Sequence, residues 1–241
     1  MIQEQTHDMG NCFATDVYGL TDPRNVERVT AIPIPMYNEL LAHLPYGSAA
    51  SVMMQTLFVT GCRPCELDVM SRTKIKFGFI VWGVGKNQKG TRREFLGDKL
   101  LLEMKHYIEH NRVYGDKLFG INYTSLNRYF NRDIRPKLSK EWNLKNPWHN
   151  HLGIEPFVYQ LKGFRKTNAT LKFHYYYKKY NNAQVAAEFV SQAMKHSTLH
   201  MTFGHYLVES QNINAEQYYT MLPFEIASSI KQKALNEYCD V

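Results

Sequence analysis

The chain has 241 residues, of which 44% are hydrophobic and 21% are charged. These proportions are typical of a globular protein and exclude a disordered tail protein. Four cysteines are too few for a disulfide framework and suit a reducing compartment. Lys and Arg number 29 against 22 Asp and Glu, so the formal net charge is +7. Such an excess of basic charge indicates a polyanionic partner without naming it.

The amino-terminal residues are polar and contain no apolar signal-peptide core. No apolar run reaches the roughly 18–20 residues that a membrane-spanning helix requires. We therefore expect an intracellular protein that does not enter a membrane. Residues 1–28 lack any hydrophobic period and are predicted to form a flexible arm or linker.

The first helical pattern begins near Ile34, and a second helix is predicted over residues 48–59. The second is apolar on most faces and is expected to be buried. Gly61 should end it, and Pro64 suits the first turn of a third helix over residues 66–70. Short strands are predicted at 74–77, 79–82 and 92–96, with a basic hairpin turn over 83–90.

Helical patterns resume after the strands, at residues 99–110, 125–138, 158–177, 183–194, 197–208 and 223–235. The sequence therefore predicts a mainly α protein with a small antiparallel β-sheet, in the α+β class.

Basic and hydroxyl side chains concentrate at five places in the chain. Arg63 follows a tight turn at a helix start, where a phosphate could bind. The other four places are Lys86 in the hairpin turn, Lys162 with Arg165, His196 beside Ser and Thr, and Tyr206. Each has an ordinary structural alternative: an Arg63–Glu66 pair, a solvated turn, two surface cations, a capping or core histidine, or a packed tyrosine.

Two further segments offer only weak evidence, one for a nucleotide-binding loop and one for a metal or redox site. The turn at 85–92 lacks the ending of a Walker A loop, which argues against ATP binding. Cys62 and Cys65 form a single C-x-x-C, which could be a redox pair or half of a zinc site. We expect instead two small residues packing at a helix start, and neither a metal nor a cofactor.

Taken in order, these segments resemble the catalytic domain of the tyrosine recombinase (phage integrase) family over roughly residues 32–208. The family's T-G-x-R-x-x-E-L motif matches residues 60–67, and its hairpin G-K matches residues 85–86. Its H-x-x-R-H-x-x-A-T and G-H-S-x-x-x-x-T motifs match at Arg165, Thr167, Ala169, Thr170, His196, Ser197 and Thr202. The nucleophilic tyrosine of the family then corresponds to Tyr206.

The chain departs from the family pattern at several positions. Lys162 stands where most members have His, a K-x-x-R variant that is similar to archaeal virus integrases. Lys166 replaces the second His of that motif, and Lys195 replaces the Gly before His196. Tyr206 lies ten residues after His196, where most members have nine. Tyr218 and Tyr219 remain alternative nucleophiles.

The resemblance implies metal- and ATP-independent DNA strand exchange through a 3′-phosphotyrosyl intermediate. It assigns catalysis to Arg63, Lys86, Lys162, Arg165, His196 and Tyr206. DNA contacts are expected from further basic residues: Lys89, Arg92, Lys166, Lys172, Lys178 and Lys179. The expected partners are double-stranded DNA and further copies of the chain, in a tetramer, as in an integrase of a virus or mobile element.

We expect an arm at 1–28, a catalytic domain at 29–210 and a tail helix within 211–241 that could dock on a neighbouring protomer. Full-length members carry an additional amino-terminal DNA-clamping domain of about a hundred residues, and the residues before Arg63 are too few for one. We therefore expect either a piece of a longer protein or a naturally short enzyme. The alternatives are a type IB topoisomerase-like or telomere-resolving enzyme, a non-catalytic DNA-binding module on the same fold, or an RNA-binding protein.

Overall fold

The computed structural model describes residues 31–83, 90–111, 113, 115–137, 160–195, 218 and 221–223. Its helices are α1 (Ile34–Ala42), α2 (Ala49–Thr60), α3 (Asp98–His110), α4 (Tyr123–Tyr129), α5 (Lys162–Tyr180) and α6 (Ala183–Met194). Two 3₁₀ helices (Pro64–Val69 and Arg72–Lys74) lead into strands β1 (Ile75–Lys76), β2 (Phe79–Gly83) and β3 (Thr91–Phe95). The arm at 1–28, the hairpin turn at 84–89, the helix at 197–208 and nearly all of that at 223–235 lie outside the described residues.

Helix α2 is the most deeply buried element of the described chain. Nine of its twelve residues are buried, as its apolar faces predicted. The side chain of Ser48 caps its amino terminus by accepting from the Ser51 backbone N–H at 3.2 Å. Gly61 ends it in the left-handed conformation, with φ 59°. The core around it draws apolar side chains from α1, α3, α4, α5 and the sheet.

The three strands form an antiparallel sheet in the order β1-β2-β3. Its register pairs Trp82 of β2 with Arg92 of β3, and both side chains are buried. Paired residues project from the same face of a sheet, so the indole and the guanidinium both point into the protein. The small sheet is confirmed, and one arginine faces inward where the alternation of a strand would otherwise place an apolar residue.

Helices α5 and α6 are joined by a short turn and pack antiparallel. Asn181 ends α5 in the left-handed conformation, and the Asn182 side chain caps α6 by accepting from the Val185 N–H at 3.1 Å. Their interface forms a small apolar cluster of its own: Ala169, Phe173, Ala186, Ala187, Val190 and Met194. This packing returns the carboxyl end of α6 to the amino end of α5, beside Arg165.

Three predicted boundaries differ from the structure. The predicted helix at 66–70 is a 3₁₀ helix that starts at Pro64. The helix predicted over 125–138 begins at Tyr123 and passes into a π-helical turn, Phe130–Ile134. Helix α5 continues to Tyr180, because the Tyr180 ring stacks on Phe189 of α6 at 5.1 Å and holds its last turn in place.

Candidate active site

The site is built on the turn that follows α2. Gly61 adopts φ 59°, and its N–H donates to the Leu57 carbonyl at 2.9 Å. A Cβ on Gly61 would collide with the Asn168 amide and the Met194 methyl group. Only glycine fits both this conformation and this space, so the predicted turn is confirmed for two physical reasons.

Arg63 caps the 3₁₀ helix that leaves the turn. Its Nη1 donates to Glu66 Oε1 at 3.0 Å, and its backbone N–H donates to Glu66 Oε2 at 3.1 Å. Glu66 is buried and also accepts from Trp82 Nε1 at 3.1 Å. The Arg63 side chain keeps 35% of its surface exposed. The carboxylate therefore orients a guanidinium that still reaches solvent.

Arg165 reaches the same turn from the first turn of α5. Its Nη1 donates to the Gly61 carbonyl at 2.7 Å, although the two residues are 104 positions apart. Its Nη2 donates to the Met194 carbonyl at 2.6 Å, at the end of α6. The side chain is half-buried. One guanidinium thus connects Gly61, two residues before Arg63, with Met194, two residues before His196.

Arg92, which the sequence assigned to DNA contacts, is buried beneath the turn. Its side chain is 2% exposed, and its Nη2 donates to the Thr60 carbonyl at 2.7 Å. Nη1 donates to the Gly61 carbonyl at 3.2 Å, and Nη2 also lies 3.3 Å from Glu94 Oε1. The DNA-contact assignment is wrong, because this guanidinium is enclosed by protein and bonded to backbone carbonyls.

Lys172 is likewise corrected. It lies on the buried face of α5, and its Nζ forms an ion pair with Glu94 Oε1 at 2.7 Å. Burial lowers the pKa of this ammonium group, nearby Arg92 and Arg165 lower it further, and Glu94 opposes the shift. A lysine enclosed with a carboxylate does not reach a DNA backbone. Helical spacing places Lys172 on the inner face, a placement that the interleaved Lys and Tyr residues of this segment obscure.

Asn168 is a site residue that sequence reasoning missed. It is fully buried, and its Nδ2 donates to the carbonyls of Phe58 and Val59, both at 2.8 Å. These carbonyls belong to the last turn of α2, whose acceptors have no partner within the helix. The available signal was a polar residue among the apolar residues of the predicted helix, which by itself does not name the partner.

The remaining predicted basic residues lie at the two opposite ends of α5. Lys162 is exposed at the first residue of α5, one turn before Arg165, and Lys166 is half-buried next to Arg165. Lys178 and Lys179 are exposed at the far end of α5, about 20 Å from Arg165 along the helix axis. These two cannot share a phosphate with Arg165.

Several predicted residues lie outside the described part of the chain, namely Lys86, Lys89, His196, Tyr206 and Tyr219. Tyr218 is described, and it is half-buried against the main core. Lys195 is also described, with φ 53°. It takes up the left-handed conformation that a glycine adopts with less strain, at the position where the family has Gly.

The electrostatics of the site suit an anion. Among the described residues, the buried network joins two carboxylates, Glu66 and Glu94, to four cations, Arg63, Arg92, Arg165 and Lys172. In these contacts the described cations outnumber the described carboxylates, and the two members that keep exposed surface are both arginines. Guanidinium groups held in place are suited to binding two oxygens of a phosphate at once.

The cysteine pair does not form a site. Cys62 is buried and Cys65 is exposed, and both are free thiols. Burial raises the pKa of the Cys62 thiol to about 12, so at neutral pH it is a packed thiol and not a thiolate ligand. Within the residues that the structure describes, no three His, Cys, Asp or Glu side chains are grouped to hold a metal ion.

No helix in the described part of the chain is both long and apolar enough to cross a membrane.

Comparison with known proteins gives matches at the level of structure. No family model and no curated protein matches the sequence. XerA recombinase superimposes with a TM-score of 0.52 and 15% identity, over 83% of this chain and 67% of XerA. The Tn1549 transposon integrase in complex with circular intermediate DNA gives a TM-score of 0.53 and 16% identity, over 80% of this chain and 68% of the integrase.

A third structure, XerH site-specific recombinase bound to its palindromic difH substrate, gives a TM-score of 0.49 and 17% identity. The match covers 80% of this chain and 53% of XerH, so the chain spans between half and about two thirds of the length of these recombinases. The mainly α architecture with its three-stranded antiparallel sheet is the fold of the tyrosine-recombinase catalytic domain.

Proposed function

We propose that this chain is a tyrosine-type site-specific recombinase that cuts and rejoins double-stranded DNA. The observation that carries the proposal is the meeting of Arg63 and Arg165 at one turn, each oriented by protein acceptors and each with surface left for a ligand. Arg63 belongs to the segment that resembles the T-G-x-R-x-x-E-L motif, and Arg165 to the segment that resembles the H-x-x-R-H-x-x-A-T motif. The shared fold supports the same function.

In the proposed reaction, Tyr206 Oη bonds to the phosphorus of one DNA strand, and the bond from phosphorus to the 5′-oxygen breaks. Lys86 gives a proton to the leaving 5′-oxygen. Lys162 contacts the phosphate or accepts the tyrosine proton, and His196 hydrogen-bonds a non-bridging oxygen. The 5′-hydroxyl of a partner strand then attacks the 3′-phosphotyrosyl link and releases Tyr206. The covalent link conserves the phosphodiester energy, so strand exchange requires no ATP.

Arg63 and Arg165 stabilise the transition state in this scheme. The pentacoordinate phosphorus carries extra negative charge on its non-bridging oxygens, and prearranged donors lower the free energy of that charged state. Both guanidiniums are held before DNA arrives, Arg63 by Glu66 and Arg165 by two backbone carbonyls. Fixed arginines supply this charge without a metal ion, in keeping with the proposed metal independence.

The assembly and setting follow from the same proposal. Residues 29–210 act as the catalytic domain, and the tail within 211–241 docks on a neighbouring protomer of a tetramer bound to DNA. Exposed Lys162, Lys178 and Lys179, with half-buried Lys166, contact phosphates along the duplex. The protein works on DNA inside the cell, in the host cytoplasm or nucleoid. The Tn1549 neighbour, a transposon integrase, supports a role in a mobile element, as does the K-x-x-R resemblance to archaeal virus integrases.

The deciding experiment is relaxation of supercoiled plasmid in EDTA, with covalent protein–DNA adducts trapped by detergent and the linked peptide identified by mass spectrometry. We expect an adduct at Tyr206 that disappears in Tyr206→Phe while DNA binding persists. Tyr218→Phe and Tyr219→Phe are the matched controls and should retain it. Binding without any adduct would instead support a DNA-binding module, and relaxation without exchange between two sites would support a topoisomerase-like enzyme.

A further inference from the structure

The carbonyls of four consecutive residues at the end of α2, Phe58 to Gly61, all accept hydrogen bonds from distant side chains. Asn168 of α5 donates to Phe58 and Val59, Arg92 of β3 donates to Thr60 and Gly61, and Arg165 of α5 donates to Gly61. A helix end usually satisfies such carbonyls with water or local turns. Here two other elements satisfy them, so the direction in which the chain leaves α2 toward Arg63 is set from outside the helix.

Arg92 and Arg165 share one acceptor. The Nη1 atoms of both lie on the Gly61 carbonyl, at 3.2 Å and 2.7 Å. Two like charges converge there, and nearby carboxylates compensate them: Arg92 lies 3.3 Å from Glu94 and 4.0 Å from Glu66. Because the acceptor is shared, a shift of the Arg92 guanidinium changes the position of the Gly61 carbonyl and with it the orientation of Arg165.

The backbone position of Arg92 links this junction to the hairpin. In the β2–β3 register, Arg92 is paired with Trp82, and its guanidinium lies 5.0 Å from the centre of the Trp82 ring. Trp82 in turn donates to Glu66, the carboxylate that orients Arg63. The two strands on either side of the segment that carries Lys86 are thus anchored to the end of α2 and to Glu66 through Arg92 and Trp82.

We propose that Arg92 is a positioning residue: without touching DNA, it sets the geometry of Arg63 and Arg165 by holding the Thr60 and Gly61 carbonyls. This role rests on the proposed function, in which those two arginines bind the reacting phosphate. Arg92 acts through its forked shape, since its two Nη atoms reach different carbonyls. A single ammonium group reaches these directions less well.

The test compares Arg92→Lys with wild type. Lysine keeps the positive charge beside Glu66 and Glu94, so the fold should be retained, and DNA affinity should fall by about tenfold or less because most phosphate contacts remain. We expect the single-turnover cleavage rate constant at saturating DNA to fall about 100-fold, the effect of a misplacement of about 1 Å at a reacting centre. Arg92→Gln is the second variant and should show at least the same loss. Glu103→Gln is the matched control, since it weakens another buried network at the opposite end of α2.

A double-variant cycle separates positioning from a general loss of stability. If Arg92 acts through Arg165, Arg92→Lys should reduce cleavage by much less than 100-fold in an Arg165→Ala background. If Arg92→Lys reduced the cleavage rate constant by the same factor in the Arg165→Ala background as in wild type, the positioning role would be overturned. Equal losses of cleavage in Arg92→Lys and Glu103→Gln would also overturn it.

An activity-independent readout distinguishes failure of this role from failure of the proposed function. Inorganic phosphate is titrated into each variant by calorimetry. We expect Arg92→Lys to weaken phosphate binding about tenfold, as loss of good geometry in one charged hydrogen bond would do. The wild-type chain could fail to cut DNA while Arg92→Lys still weakens phosphate binding. That outcome would contradict the proposed recombinase activity and support the positioning role. Equal affinities, or no phosphate binding by wild type, would overturn the positioning role.

Discussion

The two ends of helix α2 are held by side chains of opposite charge. At the amino end, the Glu103 carboxylate from α3 accepts from the Gly47 N–H, the Ser51 hydroxyl and the Gln55 amide. At the carboxyl end, the guanidiniums of Arg92 and Arg165 donate to the final carbonyls. Both arrangements match the helix dipole, which favours negative charge at the amino terminus and positive charge at the carboxyl terminus.

The difference lies in what each end leaves accessible. Glu103 is 3% exposed and has three donors around it, so it can only stabilise the fold. At the other end the cations outnumber the carboxylates among the described residues, and Arg63 retains 35% exposure. The same electrostatic principle therefore accounts for a structural clamp at one end and, at the other, for the arginines that we propose bind a phosphate.

The largest expected effect is on DNA cleavage, at the carboxyl end of α2, where the arginines lie. Arg63→Ala and Arg165→Ala should each reduce the DNA cleavage rate about 1,000-fold, since each removes a prearranged donor to the transition state. DNA affinity should fall about tenfold or less, because one phosphate contact among many is lost. Single-turnover cleavage and filter binding measure the two quantities. Parallel losses of both would assign these arginines to binding alone and remove the functional contrast between the ends.

The next largest effect concerns the turn itself. Gly61→Ala should lower the free energy of unfolding by about 3 kcal/mol, because the new methyl group meets the Asn168 amide in a left-handed backbone. Gly115→Ala is the control, since Gly115 also has a positive φ, 65°, but open space around a Cβ. It should cost about 1 kcal/mol. Urea denaturation measures both, and equal losses would show that crowding at Gly61 is unimportant.

At the amino end of α2, Glu103→Gln should lower the free energy of unfolding by about 2 kcal/mol. This is the effect of weakening a buried charged hydrogen-bond network. The cleavage rate constant of the folded fraction should stay at the wild-type value, because Ser51 and Gln55 of the network lie about 15 Å and about 9 Å along the helix from Gly61. Thermal unfolding and single-turnover cleavage test the pair of expectations. A large cleavage defect would mean that the two ends are not independent.

The smallest expected effect is a pH dependence of the free energy of unfolding, caused by Lys172, which is buried near the carboxyl end of α2. Burial lowers the pKa of Lys172 in the folded protein, so the unfolded chain binds this proton more tightly. Stability should therefore rise with pH between the lowered pKa and the ordinary lysine value of about 10.4. Lys172→Met should lack this rise relative to wild type. Denaturation curves at neutral to alkaline pH compare the two, and identical slopes would contradict a lowered pKa for Lys172 in the folded protein.

Local sequence signals predicted the backbone of the site well. Gly61 ends α2 and Pro64 begins the next helix, because both residues restrict the conformations of their own peptide units. The pairing of Arg63 with Glu66 was also foreseen as a contact between near neighbours, and it is confirmed. The strands were found from β-branched and aromatic runs, within one or two residues of their ends.

The misassigned residues are those whose environment depends on other elements. Arg92 and Lys172 are basic residues in basic segments, so charge patterning predicted a DNA surface, whereas both are buried with Glu94. The polarity of Asn168 in an otherwise apolar stretch did not identify its acceptors, since these lie on another helix. A basic side chain is an equally good donor to a phosphate and to a helix carboxyl terminus, and the sequence does not state which of these is near.

By itself, the sequence determined the helices and strands, the turn at Gly61 and the motif arginines, because propensity, capping and backbone freedom act within a few residues. The tertiary structure decided which cations face inward. Packing of α5 and β3 on the end of α2 buries Asn168, Arg92 and Lys172, and burial requires each polar atom to find partners in the protein. Arg63 and Arg165 stand where that packing stops, and they keep the surface that a phosphate can reach.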